Sequence, residues 1–438
     1  MIRRRSLLSL AAATAAGGLT LAGCGSDSGT GSSSDQVTYM TWESNDTNAA
    51  MDATFKTFTE QSSITMVRQE SPNTDYAQKL ASLLLSKKAP DFFWCSTTQA
   101  QNLAAQGLVF DWTSHLKDSG KGLNQADFAP GSLELYTAPD GTIIGIPTLA
   151  NTYGVFYNKD MFKAAGLAEP TPEWTYDEML ADAKALTGFT GTKGPGLVTA
   201  WSLLASPQGL SAYSVANGGA PFLDKDLGAT KVTASPQLVE GAQKLADAVK
   251  AGHLTAPDFD ATNSVAVFSN GGNGMLFGGQ WLAQTIKPTG AGFEWGYAPW
   301  PRGSASAVQP IEANGVCSPA TLKNPDATYQ AIAYMLSKGF NEVMAKIPVA
   351  PIAYTPGSTG YFDNLEKQGG ALAAIGATAK YELGAEQKFG TQMLDPWATK
   401  AGDIITAKWT PALGGKTDLQ AGITATVTGI QGLIDSEK

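Results

Sequence analysis

The chain has 438 residues, 43% of them hydrophobic, and a formal net charge of −9. That apolar content is ample for large cores, and the length is compatible with two or three domains. The acidic balance, with no basic stripe anywhere, argues against nucleic acid and anionic lipid headgroups as partners.

Three arginines, Arg3 to Arg5, open the chain, and 7–22 is an uncharged, Ala-rich apolar run. A membrane-spanning helix needs about 20 apolar residues. This run is shorter, and Gly17-Gly18 weakens it further. A basic start, a short apolar core and small residues before a cut site describe an export leader. Arg4-Arg5-Ser6-Leu7-Leu8 also resembles a twin-arginine signal. Leu21-Ala22-Gly23-Cys24 is similar to a bacterial lipobox. That resemblance implies cleavage before Cys24 and lipidation of its sulfur, so 1–23 is expected to be a lipoprotein signal peptide. The alternative is an ordinary leader whose cysteine stays a free thiol. The Gly/Ser-rich stretch 24–35 is expected to be a flexible tether with a reach of about 20 Å.

From residue 37 onward strand and helix patterns alternate. The segment 37–42 (VTYMTW) reads as a strand, 49–61 as a helix and 64–68 as a second strand. Tyr76, Leu80, Leu83 and Leu84 recur at helical spacing, with Pro90 as a stop. Phe92 to Cys95 is an almost wholly apolar strand of the kind buried on both faces. This alternation predicts a parallel sheet covered by helices. Strand patterns return at 142–146, 155–157 and 293–300. Thr175 and Glu178 form a capping box, with Trp174 placed to staple against Met179. Ser235-Pro236 starts another helix, which Gly252 stops, and Asn324-Pro325 starts a third. Beyond 362 the pattern is mainly helical. GGNG at 271–274 lacks phosphate-loop spacing and reads as a turn. No Pro/Gly/Ser boundary divides the body, so the chain is expected to cross between lobes several times.

Only two histidines occur, His115 and His253, neither at ligand spacing to a second metal-binding group. Zinc sites and Ser-His-Asp triads are therefore not expected, and nothing calls for a cofactor. After Cys24, Cys95 and Cys317 remain, and composition alone leaves open a disulfide or two buried thiols.

The motif order resembles a known family. GTIIGIPTLANTYGVFYNKDMFKAAGL (141–167), PEWTYDEM (172–179), GMLFGGQW (274–281) and ANGVCSPATLKNPDATYQAIAYML (313–336) occur in sequence. Together they are similar to family 1 extracellular solute-binding proteins of sugar ABC importers, in the plan of maltose-binding protein. The resemblance implies an α/β, two-lobed, type II periplasmic-binding-protein-like fold. Each lobe would be a mainly parallel sheet flanked by helices, with three hinge crossings. Lobe 1 would be 36–147 plus 308–362, and lobe 2 would be 148–307 plus 363–438. It also implies that the strand at 311–318 lies beside 91–95 as a parallel neighbour, which makes a Cys95–Cys317 disulfide possible.

Ligands of open α/β sheets bind beyond the carboxyl ends of the strands. Those ends carry Glu43 and Asp46, Glu70, Thr98 and Gln99, Asn151 and Tyr153, and Gln280 and Trp281. Aromatics mixed with amides, hydroxyls and carboxylates suit a sugar, whose C–H faces stack and whose hydroxyls need fixed partners. The family resemblance implies stacking roles for Trp281, Trp397 and Trp201 and a hinge-side ligand role for Asn151. Of the ten tryptophans, Trp94, Trp174, Trp295 and Trp300 sit in strand or cap patterns and read as structural. Scarce arginine, only Arg68 and Arg302 after the leader, favours a neutral carbohydrate over an anion. The expected partners are thus a carbohydrate, ABC permease subunits and the membrane through lipid on Cys24, with the protein itself a monomer. A cell-surface glycosidase using paired carboxylates, or the same fold with a non-sugar solute, are the alternatives.

Overall fold

The computed structural model describes residues 36–71, 75–188, 190–191, 194–195, 197–199, 201–258, 261–286 and 292–436. The expected leader, Cys24 and the tether lie outside the described residues.

The first part follows the sequence periodicity closely. Strand β1 (Gln36–Met40) lies between β2 (Thr65–Arg68) and β3 (Phe92–Ser96), parallel to both. Helix α1 (Asn45–Ser62) joins β1 to β2 and buries Met51, Phe55 and Phe58. It begins four residues before the pattern predicts, because Ser44 Oγ accepts the Thr47 N–H at 3.2 Å and caps it. Helix α2 (Tyr76–Leu85) joins β2 to β3 and stops well before Pro90. Phe92, Phe93, Trp94 and Cys95 are all fully buried, as their unbroken apolar run implies.

The second part departs from expectation. The strand expected at 142–146 does not form apart from its last residue: 142–145 hold only an isolated bridge from Ile143 to Thr137, and Ile146 begins a 13-residue strand, β4 (Ile146–Asn158), that takes in the 155–157 pattern. A β5–β6 hairpin (Thr190–Gly191, Gly194–Pro195) and β7 (Leu197–Thr199) follow. Then come β8 (Asn273–Gly279), β9 (Trp295–Pro299), the ten-residue β10 (Val308–Cys317) and β11 (Gln387–Gly390). Near one end, β4 pairs antiparallel with β10, and near the other with β8 and β9. β10 reaches β3 with its Cys317 end, antiparallel rather than parallel as expected, and β11 with its Val308 end. The result is one nine-stranded sheet, ordered β2-β1-β3-β10-β4-β8-β7, with β11 and β9 attached to β10 and β4. It is mixed, where a mainly parallel sheet was expected in each lobe. The reason is directional: when the chain leaves one half along β4 and returns along its neighbour β10, the two must run oppositely.

Register explains the cysteines. Cys95 faces Gly315, and Cys317 faces Phe93, so the two are diagonal neighbours on one face. They form a disulfide with their Cα atoms 6.0 Å apart. Gly315 is required there, since a Cβ would meet the Tyr136 ring at 2.6 Å. The Tyr136 hydroxyl in turn donates to the Cys95 carbonyl at 2.6 Å, strapping the same junction.

Two buried clusters flank the sheet. One joins β1–β3 to the helix Pro325–Tyr334 and continues under Phe156, Leu276 and Tyr297. The other holds Val155, Phe277 and Trp300 against the helices Tyr176–Gly188, Pro207–Ala216, Pro236–Lys250 and Leu419–Ser436. The capping box is present: Thr175 N–H donates to Glu178 at 2.8 Å, and Glu178 N–H donates to Thr175 Oγ1 at 3.2 Å. Gly252, at φ 76°, ends the Pro236–Lys250 helix with the Gly252 and His253 amides on the Val249 and Ala248 carbonyls. Trp94, Trp174 and Trp300 are buried and Trp295 packs against the first cluster.

The helix Gly370–Gly384 covers the sheet beside β9 and carries one anomaly, Glu382, which is 1% exposed. No donor reaches either carboxylate oxygen at full hydrogen-bonding distance. Burial pushes its pKa well above the carboxylate range, and the nearby Thr152 hydroxyl and Trp300 N–H offset only part of that.

Two predictions follow from this packing. The Cys95→Ala/Cys317→Ala double variant should lose about 2–5 kcal/mol of stability in denaturant unfolding under oxidising conditions. Unchanged unfolding would contradict the disulfide's structural role. For Glu382 the folded-state pKa is raised, so its contribution is complete below the unfolded carboxyl value of about 4.3 and is lost as pH rises through the folded value. Glu382→Gln should therefore match the parent near pH 4 and exceed it in thermal midpoint at neutral pH. A midpoint difference that is independent of pH would contradict this assignment.

Candidate functional site

The carboxyl ends of β1 and β3 build one wall. Thr41 Oγ1 accepts the Glu43 N–H at 2.9 Å, and Asn48 Nδ2 donates to the Glu43 carbonyl at 2.9 Å, so the turn after β1 is pinned. Glu43 Oε1 then accepts from Trp94 Nε1–H at 3.0 Å. The Tyr76 hydroxyl donates to the Trp94 carbonyl at 2.6 Å, and Trp42 packs edge-on to Tyr76 at 5.3 Å. Burial raises the Glu43 pKa against the stabilising Trp94 bond. After β3, Ser96 caps the helix α3 (Thr97–Ala105) by accepting the Gln99 N–H at 3.2 Å.

The central strands build the floor. Asn314 faces Ser96, and Glu312 faces Asn151. Residues directly opposite, and residues two apart along a strand, share a face. Ser96, Asn314, Glu312, Asn151 and Tyr153 therefore form one polar strip across the sheet. Side-chain bonds link it. Thr97 Oγ1 donates to Gln392 Oε1 at 3.1 Å, and the Thr98 hydroxyl donates to the same oxygen. Gln392 Nε2 donates to Glu312 Oε1 at 3.3 Å, and the Tyr153 hydroxyl donates to Glu312 Oε2. Burial raises the Glu312 pKa, and the Tyr153 bond opposes the shift.

Trp281 closes the far end of the strip. Its ring lies edge-on to Tyr153 at 5.2 Å and folds back over Gly279. A Cβ on Gly279 would sit 2.0 Å from that ring. Gln280 turns away from the strip: its Oε1 accepts the Thr152 N–H at 3.0 Å, and its side chain is buried. On the other side of Gln392 a cavity of about 310 Å3 opens between Thr98, Ser206, Gln208, Met393 and Thr399. A larger hollow of about 900 Å3, walled by Lys159, Lys163, Glu169 and Phe293, involves none of these residues.

The structure thus gathers Thr98, Asn151, Tyr153 and Trp281 along one surface, with Gln280 beneath its edge, Gln99 on the adjoining helix and Glu43 at the neighbouring strand end. It does not bring the other candidates there. Trp201 is 1% exposed, with its indole N–H on the Thr255 carbonyl and hydroxyl, and Trp397 is 4% exposed. Both are members of the second buried cluster, where aromatic surface is better covered than in a cleft. Glu70 is exposed and pairs with Arg68 at 2.7 Å, and Asp46 is exposed in the first turn of α1. Sequence reasoning missed Glu312 and Gln392. A lone carboxylate in the apolar run 308–317 marks the first; the irregular stretch 391–397 carries no comparable signal for the second.

Gly279 has an ordinary φ of −79°, so alanine there adds no backbone strain. Gly279→Ala should displace the Trp281 ring and change tryptophan emission while leaving the unfolding midpoint within a few degrees. An unchanged spectrum would contradict the ring's placement.

Polar and aromatic groups thus gather where β4 and β10 pass between the two buried clusters. The family model described as bacterial extracellular solute-binding protein matches residues 53–374, and the chain belongs to that family. It is 29% identical over 153 residues to the sn-glycerol-3-phosphate-binding periplasmic protein UgpB of Brucella abortus. That match covers 34% of this chain and 35% of the relative, so the chain spans about a third of that protein's length. It is 24% identical over 340 residues to the protein of the same name from Agrobacterium fabrum, covering 73% of this chain and 74% of that one. The cyclic α-maltosyl-1,6-maltose binding protein of Arthrobacter globiformis shares the fold, with a TM-score of 0.72 at 19% identity over 92% of this chain and 99% of that one.

Proposed function

We propose that this protein captures a sugar or oligosaccharide on the polar strip and delivers it to the permease of an ABC importer. The observation that carries this reading is the strip itself: Asn314, Glu312, Asn151 and Tyr153 in line across the floor, with the Trp281 ring at its end. Amides and carboxylates there offer fixed partners for hydroxyls, and the ring offers an apolar face for the C–H side of a pyranose. The halves 36–147 plus 308–362 and 148–307 plus 363–438 act as lobes that hinge on the crossing strands, a mode of closure known for periplasmic binding proteins. The ligand drives closure only through its better affinity for the closed form. Cys24 carries the lipid that holds the monomer on the outer face of the cell membrane, and 24–35 supplies the slack for docking. No covalent chemistry is assigned to Glu43 or Glu312; the matched relatives are named as binding proteins.

The names of the sequence relatives raise glycerol 3-phosphate as a second ligand. A phosphate ester needs a cation or a helix start with free amides. Arg68 is held by Asp52 and Glu70, and Arg302 by Glu173, which leaves neither arginine for the strip. The strip's own charge is the Glu312 carboxyl, which repels an anion.

The test is a thermal-shift screen of mono- and oligosaccharides alongside glycerol 3-phosphate, followed by titration of the best ligand. A sugar should raise the midpoint, and Trp281→Ala should weaken its binding at least tenfold, about 1.4 kcal/mol. Stabilisation by glycerol 3-phosphate alone, or equal binding by Trp281→Ala, would overturn the assignment.

A further inference from the structure

Glu43 and Glu312 have no cation beside them, whereas Asp52 meets Arg68, Asp326 meets Lys121, Glu169 meets Lys159, and Asp258 meets Lys416. Asp182 and Asp226 are also held by neutral donors, but only Glu312 sits in the strip beside Tyr153. Glu43 and Glu312 meet only neutral donors. Glu43 has the Trp94 indole N–H, and Glu312 has the Tyr153 hydroxyl and the Gln392 amide. Among the described residues no ion pair reaches either. Both are held partly away from water, and burial is the dominant influence on each.

An uncompensated carboxylate in a closing cleft is costly, because desolvation penalises the charge and hydroxyl donors leave its sign unchanged. A protonated amine reverses that balance. It supplies three N–H donors and the missing positive charge. Glu312 has room for it, since a carboxylate offers about four lone-pair sites and Tyr153 and Gln392 occupy one on each oxygen. The ring pair beside it, Tyr153 and Trp281, attracts a cation held over either face.

Resting on the sugar-binding reading above, we propose that the ligand class is an amine-bearing sugar, a monosaccharide or oligosaccharide with a protonated amino group. Glu312 accepts the ammonium, and Trp281 packs against the ring that carries it. Glu43, two strands away beyond β3, adds a further negative charge to the same side of the sheet.

The experiment compares matched pairs on the lipid-free mature chain by calorimetric titration at neutral pH: glucosamine against glucose, and the chitosan disaccharide against cellobiose. In at least one pair the amine should bind at least tenfold tighter than its hydroxyl counterpart. That advantage should shrink with added salt, as screening requires, and the amine-to-hydroxyl affinity ratio should fall below about twofold in Glu312→Gln, whatever the variant loses for both sugars. If the hydroxyl member binds as tightly as the amine in the parent protein, the amine inference fails and the sugar reading stands. If no member of any pair binds, both fail. Because the decisive comparison uses the parent protein, a poorly folded variant does not weaken it.

Discussion

The antiparallel ladder between β4 and β10 is the constraint on which the rest of the molecule depends. One strand carries the chain out of the first half, and the other carries it back, hydrogen-bonded from Ile311–Thr152 to Val316–Ile146. Because the two are neighbours, the first-half strands β1–β3 and the second-half strands β8 and β9 attach to opposite ends of one ladder. Three features follow from that arrangement. The sheet must be mixed, the cysteines of β3 and β10 fall on a shared diagonal, and the residues in mid-ladder come to lie where the halves meet. Glu312 and Asn151 face each other one pair in from the Ile311–Thr152 end of the ladder, the end nearest β8 and β9.

The polar chain across the strip gives this position its chemical character. From Thr97 and Thr98 through Gln392 and Glu312 to Tyr153, hydrogen bonds connect the start of α3 to the edge of Trp281. Networks of this kind hold donors and acceptors in fixed directions, which lowers the ordering cost when a polyol arrives. The same network joins the start of α3 to the segment after β11, since Gln392 bonds Thr97 and Thr98 and follows a strand whose Phe389 belongs to the second cluster.

Much of the fold was legible in the sequence where one physical signal dominated. The β1–β3 unit shows β-branched and aromatic runs alternating with helical spacing, and its elements lie close to where those patterns put them. The 146–158 segment was not legible as one strand. Its pattern showed only at 155–157, and Gly154 just before that is needed because a Cβ would meet the Ala298 carbonyl at 2.3 Å as β9 packs alongside. For the candidate site, strand ends pointed to Glu43, Thr98, Asn151, Tyr153 and Trp281, which the structure places along or beside one surface. The family resemblance pointed also to Trp201 and Trp397, which are buried in the second cluster; an indole suits a cleft and a core alike. Trp409, whose indole N–H donates to the Ala205 carbonyl at 2.6 Å, is buried in the same way. Glu312 escaped because strand direction, not spacing, decides which face it takes.

The central claim is that solute binds on the strip between the halves. Hydrogen–deuterium exchange with and without a saturating sugar tests it most directly. The account predicts that added protection concentrates at 96–99, 151–153, 279–281, 312–314 and 391–393. A sugar that binds while these segments exchange unchanged, with protection appearing elsewhere, would contradict it.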